Sequence, residues 1–480
     1  MSLGRPVPAH LLAAALCAGL AAADLGRVGA AGLGLGLALA AGAAACASPA
    51  VRLVLAAAGL AAVGWWWGSA RLDTLDRSAL RAEIGRAGRA VVVVTSPVRR
   101  GRYDQRASGS VRSFRGVDAG EPVELELPLG RSPPQGAVLE ALALVKEPRG
   151  PSHGFDERTW LRRHGMHVVL RLDGWRVVGR RGGLGGLADR LRRALARAIA
   201  PGLAGERRAV LEGIVLGDDS ALGDGLRADF RRSGLYHLLA VSGQNVVLVA
   251  GGVLVLAWLL GASRVLGELG ALAAIGAYVL AVGAQPSVVR AGVAGALASL
   301  AWLTGRLRDA WQALLLGAVC LLAWNPYLLL DVGFQLSFAA VAAIFVLAPR
   351  LARALEPWPL PRSVRLGVAV SAACGLATAP VLWLQLGYLP VLGVAANALA
   401  EPAMPVLLGL AFATAALEPV APAAAALVAW LNGLVAAYLA LCAHAIGALP
   451  FAQVSTARGL AGLVGMLLAA AYAWRRWPTS

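Results

Sequence analysis

The chain has 480 residues, of which 58% are hydrophobic and only 15% charged, with a formal net charge of +17 and a mean hydropathy of +0.67. That balance excludes a soluble globular domain and describes a polytopic membrane protein whose charges are mostly arginine. The five cysteines, Cys17, Cys46, Cys320, Cys374 and Cys442, all fall in apolar runs, so neither a disulfide framework nor a cysteine-based metal site is expected.

Three apolar segments open the chain, at 8–23, 28–46 and 51–68. The first is read as a retained anchor rather than a cleaved signal peptide, because two further spans follow within a few residues. A long polar segment, 71–232, comes next. Within it the runs VVVVTSPV, PVELELPL, AVLEALALV and HVVLRL are separated by Gly, Pro and charged turns, which predicts a small β-barrel or sandwich. The piece FDERTWLRRHGMHVVL, 155–170, predicts a short helix followed by a strand. From 184 to 199 the chain turns amphipathic, with Arg190, Arg192, Arg193 and Arg197 among Leu and Ala. A basic helix lying on the membrane surface is the plain reading, and contact with nucleic-acid phosphate the sharper one.

Nine more apolar segments follow, at 237–260, 267–284, 287–304, 310–324, 328–348, 366–386, 391–416, 422–446 and 457–474, giving about twelve spans in all. The fold class expected is mainly α, a polytopic transmembrane helical bundle with one small extracytoplasmic β domain. Several spans are rich in Gly and Ala, which suits close helix approach, and others are short enough to be broken or re-entrant. The organisation is 1–70 N-terminal membrane helices, 71–183 β domain, 184–232 amphipathic membrane-surface helices and 233–480 a second membrane domain.

Lys and Arg stay on the cytoplasmic side of short loops. With Arg5 inside, Arg52, Arg264, Arg306, Arg308, Arg350, Arg353, Arg362, Arg365, Arg475 and Arg476 fall on the same side. The opposite short loops are charge-poor apart from Asp24, Arg27 and Arg458, so the topology places both termini in the cytoplasm and 71–232 outside.

Polar residues inside apolar runs mark sites, because each costs free energy in hydrocarbon unless it is satisfied. The segment GLYHLLAVSGQN, 234–245, places His237, Ser242, Gln244 and Asn245 at the mouth of an apolar run. In one regular helix His237, Gln244 and Asn245 share a face, and Ser242-Gly243 is a point where that helix can break. Two readings stand: a pathway lining, or an interfacial histidine with amides bonding between helices. Arg290 lies about four residues into its span and either snorkels to the interface or offers a planar fork to passing phosphates. Asp331, Phe334, Gln335 and Phe338 fall on one helical face with Ser337 beside it, an arrangement used both by single-strand grooves and by ordinary packing. Asp331 is expected to pair with an arginine. Asn397 and Glu401 form an i, i+4 polar pair ahead of Pro402 and Pro405, which predicts a discontinuous helix. Glu401 serves either as a local counter-ion or as part of a cation- or proton-coupled carrier. Asp218 and Asp219 fit a turn or helix cap at least as well as a metal site.

Four of these patterns, VLEGIVLGDDSAL, LRADFRRSGLYHLLAVSGQNVVLV, PSVVRAGVAG and NPYLLLDVGFQLSFAAV, resemble in order the competence domain of the ComEC family, the inner-membrane channel of bacterial DNA uptake. The resemblance covers the chain from about Arg207 to the last span, and the external segment resembles, more distantly, the small OB-like domain of that family. It implies a multi-pass inner-membrane channel that passes single-stranded DNA to the cytoplasm during natural transformation. His237, Ser242, Gln244, Asn245, Arg290, Phe334, Gln335 and Ser337 would lie along the DNA path, with Asp218, Asp219, Asp331, Asn397 and Glu401 as structural polar groups. No catalytic residue, cofactor or metal is expected. The metallo-β-lactamase-like domain of longer members is expected to be missing from this chain, which implies either a separate nuclease as a partner or a sequence that is incomplete. Single-stranded DNA, membrane lipid, a DNA receptor on the outer face, a cytoplasmic helicase-like ATPase, ssDNA-binding proteins and a second copy of the chain complete the implied partners. The sequence has no GxxxxGK[ST] loop, so the motor is expected elsewhere. A secondary transporter of a small solute and a membrane enzyme acting on envelope polymers are the competing classes.

Overall fold

The computed structural model describes residues 8–101, 103–152, 155–283, 286–304, 309–463 and 465–466. Arg5, His153, Gln285, Arg306, Arg308, Arg475, Arg476 and half of the predicted span 457–474 lie outside the described residues. In chain order the helices are α1 (Pro8–Ala22), α2 (Ala30–Ala45), α3 (Pro49–Leu75), α4 (Glu157–Arg163), α5 (Gly183–Ala198), α6 (Gly205–Leu216), α7 (Asp224–Ser233), α8 (Tyr236–Leu239), α9 (Gly243–Leu259), α10 (Arg264–Val282), α11 (Pro286–Leu303), α12 (Ala310–Trp324), α13 (Val332–Val346), α14 (Ala348–Ala354), α15 (Arg362–Leu386), α16 (Gly393–Ala400), α17 (Ala403–Leu417) and α18 (Pro422–Gly447). The chain divides into two compact units, one built from 1–198 and 242–334, the other from 199–241 and 335–480.

Four helices are long and apolar enough to cross a membrane, within Pro49–Glu83, Arg264–Val282, Arg362–Leu386 and Pro422–Gly447. Two bent pairs raise that number to six: α13 with α14, bent by 47°, and α16 with α17, bent by 43°. The remaining apolar helices, including α1, α2, α9 and α12, have 10–17 residues. At about 1.5 Å per residue, seventeen residues cover about 26 Å, short of the roughly 30 Å hydrocarbon core. Every predicted apolar segment within the described residues coincides with a helix, while full-length crossing is supported for four to six of them.

In the first unit the polar segment folds into five long strands, β1 (Ala87–Val94), β2 (Gln105–Phe114), β3 (Val117–Leu127), β4 (Ala137–Lys146) and β5 (Val169–Arg180). Their order is β1-β4-β5-β3-β2, and β2 pairs back onto β1, so the sheet closes into a barrel. All pairs are antiparallel except β3 with β5. Closure removes the sheet edges that would otherwise template aggregation. Alternation along β2 to β4 sends Val111, Val123, Leu125, Leu139 and Val145, each fully buried, into the barrel core. At about 2 kcal/mol per buried aliphatic side chain, this core is the main stabilising contribution to the domain.

The outward face of β3 is acidic, and its charges are largely matched. Glu126 pairs with Lys146 at 2.9 Å, while Arg106 pairs with Asp104 at 3.0 Å and with Glu157 at the start of α4. Glu124, half-buried between them, forms no ion pair among the described residues. Burial, opposed by the Arg106 charge, pushes its carboxyl up to about 7. Between its ordinary value near 4.5 and about 7, the folded barrel holds a proton that the unfolded chain has released, so stability falls as pH rises through that window. Glu124→Gln is expected to flatten this dependence and to stabilise the barrel at pH 8 by about 1–2 kcal/mol, after discounting the shift for solvent screening. Proteolytic resistance of the barrel across pH 5 to 8 checks it; an unchanged pH profile would refute the assignment.

The barrel is fastened to the helices of its own unit by one hydrogen-bonded cluster. Asp76, which caps α3, accepts from Arg27, from Arg162 of α4 at 3.1 Å and from the Tyr327 hydroxyl at 3.1 Å. Beside it, Asn325 Nδ2 donates to the Arg163 carbonyl at 2.8 Å, and Arg71 donates to the Trp324 carbonyl. The α1–α2 turn, the base of the barrel and the end of α12 therefore share one end of this unit. At the other end His10 meets Asp309 at 2.6 Å. Close helix approach has its plainest example at Gly19, where an added Cβ would lie 2.0 Å from the Ala61 carbonyl oxygen.

The amphipathic segment forms α5, and two of its four arginines, Arg192 and Arg193, are engaged with other elements. Arg192 is 9% exposed and donates to the Ala281 and Val282 carbonyls at the C-terminus of α10, where a cation complements the helix dipole. Arg193 donates to Gln135 of the barrel, and Asp189 accepts from Arg181. The helix is a strut between the barrel and α10 through Arg192 and Arg193, while Arg190 and Arg197 on it are exposed.

In the second unit, α6 and α7 pack against α18, and α14 against α15. Asp229 of α7 meets His444 near the end of α18 at 2.8 Å, and Leu389-Pro390 pairs with Gln453-Val454 as a short ribbon. The 229–236, 387–393 and 444–454 segments thus gather at one end of this unit.

Candidate functional site

The predicted break occurs. Residues 240–242 are not helical, so the apolar run is divided into α8 in the second unit and α9 in the first. This overturns the arrangement in which His237, Gln244 and Asn245 share the face of one regular helix.

In the first unit Ser242 stands at the N-cap of α9, and its hydroxyl donates to Asn245 Oδ1 at 3.1 Å. Asn245 is 1% exposed, and its amide donates to the Tyr278 hydroxyl on α10 at 3.2 Å. Because an unpaired amide is costly at this depth, the chain from Ser242 to Tyr278 fixes the start of α9 against α10. Gln244 points away from that contact and is exposed. Arg290, half-buried on α11, lies over Gly317 of α12, whose missing side chain leaves room for the arginine stem at 3.4 Å. Asp331 Oδ1 accepts from the Phe334 amide at 3.0 Å and caps α13. Among the described residues it has no arginine partner, which corrects the expected ion pair: an orphan helix N–H group meets its need more locally. Phe334 is 6% exposed, so its ring serves packing rather than offering an open stacking face.

In the second unit His237 on α8 is exposed, with Nδ1 at 2.9 Å from the Gly234 carbonyl. Gly234 ends α7 with φ of +82°, and a Cβ there would meet Pro390 at 3.0 Å and Gly393 at 3.2 Å, so both backbone conformation and space demand glycine. Asp218 accepts from the Ser220 amide and hydroxyl, and Asp219 accepts from the Tyr236 hydroxyl at 2.9 Å and lies 3.6 Å from Arg227. The pair therefore organises the α6–α7 turn, in keeping with the cap reading. Among the described residues no group of three or more His, Cys, Asp or Glu is placed to hold a metal ion. Gln335 accepts from Gln385 of α15 at 3.3 Å, and Ser337, two residues further on, is half-buried. Asn397 donates to Ser371 at 2.8 Å rather than to Glu401, and its Oδ1 is buried without a partner among the described residues. Glu401 is exposed at the break between α16 and α17, the discontinuity that the two prolines predict.

The structure groups Ser242, Asn245, Arg290 and Asp331 in one unit and His237, Gln335, Ser337, Asn397 and Glu401 in the other. Sequence reading missed the Asp76–Arg162–Tyr327 cluster, whose members are scattered over 250 residues. Tyr327 was within reach, since it stands in the NPYLLLD pattern.

Residues 214–479 match the profile of the family described as Competence protein, and this stretch is more than half of the chain. The chain belongs to the competence protein family. Two curated relatives agree with this membership. ComE operon protein 3 of Bacillus subtilis (strain 168) is 31% identical over 188 residues, covering 38% of this chain and 22% of that protein. Competence protein ComA of Neisseria gonorrhoeae is 32% identical over 207 residues, covering 40% of this chain and 29% of that protein. The chain thus spans less than a third of either relative's length. No solved structure shows a significant match. The family match begins in α6 and takes in Asp218, His237, Asn245, Arg290, Gln335 and Glu401, while the barrel lies outside it.

Proposed function

We propose that this competence-family protein is an inner-membrane channel that carries one strand of incoming DNA to the cytoplasm. The observation that carries the reading is the break at 240–242 within a long apolar run, flanked by the exposed His237 and the Ser242–Asn245–Tyr278 hydrogen-bond chain. Irregular backbone at membrane depth is stable only where protein or water satisfies it, and discontinuous helices of this kind are used to build transport sites. In this reading the end carrying the barrel faces outward, Arg264 and the Arg350–Arg365 segment face the cytoplasm, and both termini are cytoplasmic.

The barrel is read as OB-like. Its closed order, with β1 joined to β2 and β4 and with β3 parallel to β5, supports this, although α4 precedes β5 instead of β4. Folds of this kind bind strands on an outer face and in adjoining loops. A cytoplasmic helicase-like ATPase would supply the motor, and the emerging strand would meet ssDNA-binding proteins.

Entry of labelled DNA into a deletion strain complemented with His237→Ala, Arg290→Ala or Gln335→Ala tests the reading. Each variant is expected to insert normally and bind DNA at the surface, and to lose at least about tenfold in internalised DNA, the effect of about 1.4 kcal/mol on the path. Wild-type entry in all three would remove these residues from the path, and normal entry in the deletion strain would remove the channel role. A coupled carrier is the second reading, favoured by Glu401 at a helix break one turn from Asn397 Oδ1, which is buried without a partner among the described residues. Solute uptake abolished by Glu401→Gln, with DNA entry intact, would decide for it.

A further inference from the structure

The barrel and the mouth of α9 are joined, within the first unit, through α5 and α10. At the barrel, Arg193 of α5 donates to the Gln135 carbonyl at 3.0 Å. Asp189 accepts from Arg181 at 2.7 Å, and the absence of a side chain at Gly136 leaves room for its carboxylate. From the same helix Arg192 reaches inward and donates to the Ala281 and Val282 carbonyls at 3.3 and 3.4 Å. Both residues are buried in the last turn of α10, where carbonyls have no partner within the helix. One turn back stands Tyr278, whose hydroxyl also feels the Arg192 charge. That hydroxyl accepts from Asn245, which accepts in turn from Ser242 at the start of α9. The start of α9 then lies on α11: a Cβ added at Gly243 would stand 3.6 Å from that of Ala291, the residue after Arg290.

We infer that Arg192 is a positioning residue for the mouth of α9, which acts through the last turn of α10 and Tyr278 to set where Ser242 and Asn245 stand beside the Arg290 turn of α11. The inference rests on the channel reading above and adds to it that the barrel, through α5, holds the break in place. The residue type fits the task. A cation complements the C-terminal end of the α10 dipole, and a guanidinium can serve two carbonyls at once. The links are in series, so a cut at Arg192 or at Tyr278 releases the same segment. An arginine that only stabilised the unit as a whole would loosen every buried position alike, whereas a positioning arginine loosens the start of α9 first.

The probe is Val246→Cys, next to Asn245, because Val246 is 1% exposed and a thiol of similar size there is shielded while α9 is held. Val111→Cys in the barrel core is the control. The full-length protein in lipid discs is treated with a water-soluble maleimide, and the rate is read as the increment over the chain with its five native cysteines. Arg192→Met keeps the apolar stem and removes the charge and the donors. It is expected to speed reaction at Val246→Cys by at least about tenfold, equivalent to about 1.4 kcal/mol of easier opening, and to leave Val111→Cys protected. Arg192→Lys, which keeps a cation at the same helix end, should restore most of the protection. Tyr278→Phe removes one oxygen and should give about a fivefold increase, and it decides alone if Arg192→Met fails to assemble. The double variant should exceed Arg192→Met by no more than about twofold. Unchanged rates at Val246→Cys, equal acceleration at Val111→Cys, or multiplying effects in the double variant would each overturn the assignment. Entry of labelled DNA should fall in parallel, and wild-type entry with Val246→Cys exposed would overturn the role in transport. If the unmutated chain restores no entry to the deletion strain, the channel reading fails, a result separate from the thiol rates, which are measured without DNA.

Discussion

Asp76→Ala is expected to loosen the barrel from the helices that carry it, at a cost of about 1–2 kcal/mol. Three donors, from Arg27, Arg162 and Tyr327, converge on this carboxylate, and its removal leaves Arg162 without a carboxylate partner and Arg27 with Asp73 alone. Arg27 and Arg162 keep access to water, which limits the cost, while the Tyr327 hydroxyl loses a buried acceptor. The effect should be read as a double-mutant cycle. Asp76→Ala and Arg162→Ala together should destabilise by at least about 1 kcal/mol less than the sum of the two single variants. Strict additivity in thermal unfolding would show that the contact carries no energy. Faster proteolysis between α3 and β1 is the accompanying structural signature.

Gly234→Val should have a comparable effect in the second unit and a larger one on uptake. The position requires φ of +82°, which a β-branched residue resists, and its Cβ would press on Pro390 at 3.0 Å. Strain and overpacking together cost about 2–4 kcal/mol. Since Gly234 also supplies the carbonyl beside His237 Nδ1, the shift falls on the proposed path. DNA entry should be lost while surface binding remains. Gly225, on the solvent side of α7 with nothing near an added Cβ, is the control, and Gly225→Ala should enter DNA normally.

The helices were the part of the fold most legible in the sequence, because long apolar runs dominate composition and each Pro or Gly interruption has a direct backbone cause. The breaks at Ser242-Gly243 and at Pro402 followed from local chemistry alone. The barrel was legible as β from four of its five strands. The strand between Gln105 and Phe114 was not, since it buries small residues such as Ala107 and Gly109 and turns Arg106, Ser108 and Ser110 outward, leaving little hydrophobic alternation to detect. At the site, sequence picked out residues that are polar in apolar surroundings, and these do sit at breaks and caps. It could not distribute them between two units, nor foresee that Asp331 would be used by its own helix. Pairings such as Asp76 with Tyr327 depend on how distant segments meet, and no local pattern encodes that.

The interleaving of the two units also bears on how the protein is made. All five barrel strands lie within one continuous stretch, 87–180, so the domain can close as soon as that stretch has left the translocon. The helical bodies have no such freedom. The first unit is incomplete until residue 334 has been synthesised, yet α6 to α8, which belong to the second, emerge before α9 does. Those short helices must wait in the bilayer or at its surface for α15 to α18, with apolar faces uncovered in the meantime. Insertion of this chain is therefore an assembly problem with a defined vulnerable interval, and destabilising changes in α6 to α8 should reveal themselves first as degradation during biosynthesis.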